Sequence, residues 1–239
     1  MKKSPIFMAV AAAGLVATMP SVSAQSLTQA LQSESSVKIN IRSRFEDVTE
    51  DTLDANFNKN GERTADAWTT RTRISYQSGA FHGFSVFGEV DNISEMTNDV
   101  DYRTSAANTD PLFGQSSTVA VIGDPTGTDV NQAYIAYTDA ANQAKWGRQR
   151  IILDNARFIG NVGWRQNEQT YDAFSWVNKS LNNTQLTYAY INRVNRVAGA
   201  DNELLGYFDM DSHIVNGSYT FANVGKLVGY AYLLDVENP

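Results

Sequence analysis

Cysteine is absent from the 239 residues, which excludes disulfide staples, thiolate metal centres and cysteine nucleophiles while remaining compatible with an oxidising compartment. Histidine is nearly as scarce, and His82 and His213 are the only possible imidazole ligands. No bound metal or cofactor is expected. Beyond the first 24 residues the chain has no run of ~18 apolar residues, the length a spanning helix needs. If it crosses a membrane, it crosses with strands. Basic charge is also in short supply: with Lys2 and Lys3 set aside, 17 basic residues face 26 acidic ones, a net charge of −9. That balance excludes a general nucleic-acid surface.

What is present begins with a secretory signal over residues 1–24. Lys2 and Lys3 precede an apolar run from Ile6 to Met19, and Val22-Ser23-Ala24 supplies a small-residue cleavage pattern. Cleavage there would start the mature chain at Gln25. Residues 25–36 form a polar lead segment without strand pattern, long enough for one helical turn in the periplasm. Aromatics are plentiful, with 11 Tyr, 11 Phe and 4 Trp. Together with a signal peptide and no long apolar run, they favour a secreted all-β protein or an outer-membrane barrel.

From Val37 the hydrophobic period is two. Val37, Ile39, Ile41, Ser43 and Phe45 alternate with Lys38, Asn40, Arg42, Arg44 and Glu46, so one face of the strand is oily and the other charged. The same pattern predicts strands at Ala67–Gln77, Phe84–Ile93, Val130–Thr138, Gln143–Gln149, Thr170–Lys179, Thr184–Val194, Ser212–Phe221 and Lys226–Asp235. Connections alternate in length. Ser78–Gly83, Asp139–Asn142, Ser180–Asn183 and Ala222–Gly225 are short, whereas 48–66, 94–129, 150–169 and 195–211 are long. An outer-membrane barrel keeps this parity, with tight periplasmic turns and extended outer loops. The predicted fold is therefore all-β, an up-and-down antiparallel transmembrane β-barrel over residues 37–239. Nine strands are an odd number, and Glu237-Asn238-Pro239 reads as the start of a loop. The expectation is an incomplete barrel whose whole has roughly 16 to 18 strands.

Two constellations could select a solute. The charged faces of the first two strands carry Lys38, Arg42, Arg44, Arg71 and Arg73, a cationic stripe that would attract carboxylates or phosphates. Its alternative is an electrostatic belt that pairs with Glu46, Glu89 and Asp91 across strands. The second constellation is the stretch Trp146–Asn167, where a loop rich in Arg, Asn, Gly and Trp could fold into the barrel mouth and set pore width. Its alternative is an outer loop whose arginines pair with neighbouring acids or with lipopolysaccharide phosphates.

GRQ, an Asp-Asn-Ala-Arg-Phe element and Gly-Trp-Arg-Gln-Asn within 147–167 resemble the alginate-export and related porin family. Tyr171-Asp172-Ala173-Phe174 and Tyr190–Arg196 extend the likeness. The resemblance implies a monomeric channel that passes anionic polysaccharide or small solutes through an arginine-lined lumen. It places Arg148, Arg150, Arg157 and Arg165 at the constriction, Arg193 and Arg196 on the opposing strand mouth, and Asp154 and Asp172 as carboxylates that hold those arginines. Strict alternation after Trp146 would aim Arg148 outward unless a bulge near Gly147 resets the strand.

Other candidates fail on spacing. Asp54-x-Asn56-x-Asn58 lacks the glycine and bidentate Glu of a calcium loop. Ser212-His213 cannot pair as nucleophile and base, because adjacent strand residues face opposite ways. Aromatics at Trp68, Phe84, Trp146, Trp176, Tyr188, Tyr190, Tyr219, Phe221, Tyr230 and Tyr232 read as interfacial girdles. For Phe174 and Trp176 the alternative is a sugar-stacking surface inside the lumen, on a side shared with Asp172.

These readings make the chain an outer-membrane channel for anionic solutes or acidic oligosaccharide, in contact with membrane lipid and lipopolysaccharide, and not an enzyme. The rivals are a barrel-embedded hydrolase and a secreted β-rich binding protein.

Overall fold

Period-two alternation can bury one face of every strand only if all strands lie in one sheet, and this is the arrangement found in the computed structural model. Residues 26–29, 34–54, 56–97, 102, 104, 119–202 and 204–237 are described; the predicted signal segment and residues 25 and 30–33 of the lead segment lie outside them. Within the lead, residues 27–29 make a helical turn, and the Gln29 amide donates to Ser26 Oγ at 3.2 Å.

Nine strands follow: β1 (Ser36–Leu53), β2 (Lys59–Gln77), β3 (Phe84–Glu95), β4 (Gly127–Thr138), β5 (Asn142–Gln149), β6 (Thr170–Asn178), β7 (Thr184–Asn195), β8 (Tyr207–Phe221) and β9 (Gly225–Leu233). Each pairs antiparallel with the next, in the order β1 to β9. No described helix is long and apolar enough to cross a membrane.

The main departure from the sequence reading is at 48–66. Most of this predicted loop is strand, since β1 and β2 pair without interruption from Ser36↔Gln77 to Thr52↔Gly61 and leave only a tight link between them. Apolar alternation stops near Phe45, yet the ladder continues on polar cross-strand pairs such as Lys59 with Asp51 at 2.7 Å and Arg63 with Glu50 at 3.6 Å. A hairpin that rises beyond an apolar band needs no oily face, so hydrophobic period could not report its length. Asp54 closes the link: its Oδ1 accepts the amides of Asn56 (2.8 Å) and Asn58 (2.9 Å), which holds the carboxyl below its usual range.

The two faces of the sheet differ sharply. The outward face exposes Ile39, Ile41, Phe45, Ile74, Phe84, Val90, Ile135, Trp146, Phe174, Val215, Leu227 and Leu233 in a continuous band. So large an apolar patch is incompatible with a freely soluble surface and matches a wall against lipid. The inward face buries polar and charged groups, among them Thr69, Arg71, Glu89, Asp91, Gln132 and Gln149. Phe174 belongs to the outward band, so the sugar-stacking role considered for it inside the lumen does not hold. Tyr230 and Tyr232 reverse the other way. They stack on each other at 4.7 Å and meet Phe158 of the 150–169 loop from the inward face, so they form no girdle.

Gly147 is fixed by close approach. It sits at φ +127°, and a Cβ there would lie 2.3 Å from the carbonyl oxygen of Ala133 on β4. Gly147→Ala is therefore expected to cost ~1–3 kcal/mol of strain. The check is a lower melting temperature of the detergent-folded complete protein; an unchanged value would refute the close approach.

Candidate functional site

The 150–169 loop leaves β5 and turns inward instead of outward. Three of its apolar residues explain the first half of its path. Ile151 and Ile159 are buried, with Leu153 beside them, against Tyr171, Ala173, Ala189, Ile191 and Ile214 on β6 to β8. Each buried Ile is worth ~1.5–3 kcal/mol relative to exposure, enough to hold this half of the loop on the wall. Asp154 adds a hydrogen bond from Asn216 Nδ2 at 2.9 Å. It anchors the loop to β8 and does not hold an arginine.

The second half crosses to β1 and β2, which the sheet allows only by curling. Gln166 is fully buried, and its Nε2 donates to the carbonyl and the hydroxyl of Thr69, both at 3.0 Å. Its Oε1 accepts Arg42 Nε at 2.9 Å, and its amide donates to Asp124 Oδ1 at 2.8 Å. Arg42 also donates to the carbonyls of Gly163 (3.1 Å) and Arg165, while Arg44 donates to that of Trp164 at 2.8 Å. Arg71 reaches the Gln166 carbonyl at 3.2 Å and Asn40 Oδ1 at 3.1 Å. The predicted stripe of β1 and β2 thus serves first as the landing site of the loop.

Between the two halves lies a network of opposite charges. Arg73 makes a bidentate pair with Asp91 at 2.5 and 2.6 Å and also meets Glu168. Arg150 joins Glu89 and Glu168. Asn131 donates to Glu89 at 2.9 Å and to Glu168 at 3.0 Å. The Glu168 side chain is only 4% exposed. Burial alone would raise its pKa, but Arg150 and Arg73, with Asn161, bring it down to about 2. Arg165 pairs with Glu46 at 3.0 Å and stacks on Trp164 at 3.9 Å.

Of the arginines singled out in sequence, Arg42, Arg44, Arg71, Arg73, Arg150 and Arg165 converge here. Against these six stand the five carboxylates Glu46, Glu89, Asp91, Asp124 and Glu168, so the cluster is close to neutral. Arg42 and Arg71, directly opposite in register, have no carboxylate within ion-pair distance among the described residues.

The remaining assignments change. No bulge resets β5, so Arg148 stays on the outward face with Trp146; Asp172 holds it there at 2.8 Å. Arg193 is likewise outward, paired with Asp209 at 2.8 Å. Arg196 stacks over Phe208 at 4.7 Å at the end of β7. Arg157 is exposed near Phe158 and borders an interior space of about 450 Å³ against Tyr230 and Tyr232. Ser212 is buried and bonds the Asp235 backbone, whereas His213 is exposed and bonds Tyr188, so the two do face opposite ways.

Sequence reasoning missed Gln166 and Glu168, whose importance lies in what they touch across the interior, and Lys145, whose ammonium lies over the Tyr134 ring at 4.8 Å. Ile151 and Ile159 were the available signal for an inward loop, because a freely solvated loop has no reason to carry them.

No protein-family model and no curated protein matches the chain. Solved structures do. Acinetobacter baumannii OccAB3 superposes with a TM-score of 0.59 at 16% identity, covering 85% of this chain and 50% of its own. A. baumannii OccAB1 gives 0.59 at 12% identity, with 88% and 46% covered. Pseudomonas aeruginosa OpdK, solved with vanillate, gives 0.56 at 12% identity, with 85% and 50% covered. The chain thus spans about half the length of these neighbours. Its nine-stranded fold is that of part of an outer-membrane barrel of this kind, with no particular tie to alginate export.

Proposed function

We propose that the chain is part of an outer-membrane channel through which solutes pass passively, with a modest preference for anions. The observation that carries the preference is the Arg42–Arg71 pair. Two guanidiniums opposite each other in register, bonded only to neutral acceptors, leave positive potential beside the loop that narrows the interior. Lys145 and Arg157 add cationic side chains on the inward side. Small carboxylates fit this arrangement best. Acidic oligosaccharides of the alginate kind are the second class, for which Tyr230 and Tyr232 offer an aromatic surface next to Arg157.

The near balance of six guanidiniums and five carboxylates keeps the expected selectivity low. In this reading no residue performs covalent chemistry. The complete protein, reconstituted in planar bilayers under a salt gradient, is expected to show a reversal potential on the anion side. That potential should move toward the cation side in Arg71→Gln. Absence of conductance, or a cation preference in the parent protein, would overturn the reading.

A further inference from the structure

Asp124 lies on residues 119–126, the segment leading into β4, and is only 1% exposed. A buried carboxylate persists only where partners surround it. Its Oδ1 accepts the Gln166 amide at 2.8 Å, while Oδ2 faces Arg44 Nη1 at 3.3 Å and Arg165 Nη1 at 3.8 Å. One side chain thus meets β1 and the crossing half of the 150–169 loop together.

The segment that carries it is seated on the wall. Ala120 and Ile122 are fully buried with Tyr102, Ala65 and Ala67, and Val48 packs against the cluster. Positions 48, 65 and 67 share the inward face of the rising β1–β2 hairpin, since Val48 opposes Ala65 and Glu46 opposes Ala67. Small side chains at 65 and 67 leave room that Tyr102, Ala120 and Ile122 fill. Polar bonds add to the seat. The Ala120 amide donates to the Thr64 carbonyl at 3.1 Å, and the Tyr102 hydroxyl reaches the Asp124 carbonyl at 3.1 Å. The Asp124 amide donates back to the Ile122 carbonyl at 2.8 Å, a tight turn just before the carboxylate.

We propose that Asp124 is a positioning residue for the narrow part of the channel and one of the groups that set its ion preference. This rests on the channel reading above and goes beyond it, because residues 163–166 then hold their place only with residues 119–126 behind them. Arg42, Arg44 and Arg71 take the carbonyls of that stretch from the wall side. Among the described residues, the Gln166 amide is its one backbone donor bonded outside the loop, and Asp124 is the acceptor. Guanidiniums on long stems follow a sliding loop, whereas a short buried carboxylate fixes the direction of approach. Its charge also offsets Arg44 and Arg165, whose other carboxylate partner among the described residues is the shared Glu46.

The test follows hydrogen–deuterium exchange of the Gln166 amide in the complete protein in detergent, and records the same preparation in planar bilayers. Asp124→Ala should speed exchange about tenfold or more, the scale of one charge-assisted hydrogen bond, and add open-channel noise. Asp124→Asn keeps an oxygen for the amide but loses the charge. Its exchange should speed by about threefold at most, while the reversal potential moves toward anions. Ile122→Ala weakens the seat and removes no charge, so exchange should quicken with the reversal potential in place. Lys59→Gln near the hairpin tip is the unchanged control. Parent-like exchange in Asp124→Ala, or exchange in Asp124→Asn as fast as in Asp124→Ala, would overturn the amide bond as the link. An unmoved reversal potential in Asp124→Asn would overturn the part in ion preference. Exchange is read without conduction, so a parent that conducts nothing would sink the channel reading and leave the Asp124–Gln166 link standing.

Discussion

Gln166→Leu in the complete protein is expected to raise single-channel conductance about twofold or more and to add rapid open-channel noise, because several bonds that hold the loop to β1 and β2 disappear at once. The side chain makes two bonds to Thr69 at 3.0 Å and one with Arg42 Nε at 2.9 Å. Leucine fills similar space but satisfies none of them, and each buried group left without a partner costs ~1–3 kcal/mol. The first half of the loop stays on β6 to β8 through Ile151 and Ile159, so the barrel should still assemble. Only the crossing segment is freed. Planar-bilayer recording decides the matter: unchanged conductance with unchanged noise would show that residues 163–166 do not narrow the path.

Glu168→Gln should shift ion preference further toward anions. Removing this carboxylate leaves six guanidiniums against Glu46, Glu89, Asp91 and Asp124, while Arg73 and Arg150 keep Asp91 and Glu89 as partners. The pH response of the parent follows from the same residue. Its pKa is about 2 in the folded state against an ordinary 4.5, so its ionised form favours the native loop. That contribution, on the order of 3 kcal/mol, is fully present above pH 4.5 and is lost as pH falls toward 2. Parent channels should therefore become noisier between about pH 4.5 and 2, whereas Glu168→Gln channels should be noisy at neutral pH and change little across that window. A parent channel that stays quiet down to pH 2 would remove Glu168 from the role of loop anchor.

The strands were legible because an oily face against lipid and a polar face against the interior impose a period of two that no turn or loop mimics. Val37–Phe45 and Phe84–Val90 show it plainly. The rising part of the β1–β2 hairpin was not legible, since both of its faces meet polar surroundings. Asp172 was recognisable as a partner for an arginine, but its side of the sheet followed from the register with β5, where Arg148 and Asp172 share the face of Trp146 and Phe174.

Sequence by itself determined the all-β class, the order of the nine strands, the four short connections after β2, β4, β6 and β8, and a 150–169 segment too rich in arginine to be only solvated. These are local properties, written in periodicity and composition along the chain. Tertiary structure alone decided what each arginine does. Register put Arg148 and Arg193 outside, the inward turn of the loop turned Arg42 and Arg71 into its landing site, and Glu168 became the centre of a network with Arg73 and Arg150. A guanidinium's charge is fixed by its residue type, but its effect depends on the carboxylate or carbonyl that the fold brings within 3 or 4 Å of it, and those partners lie up to 124 residues away in sequence.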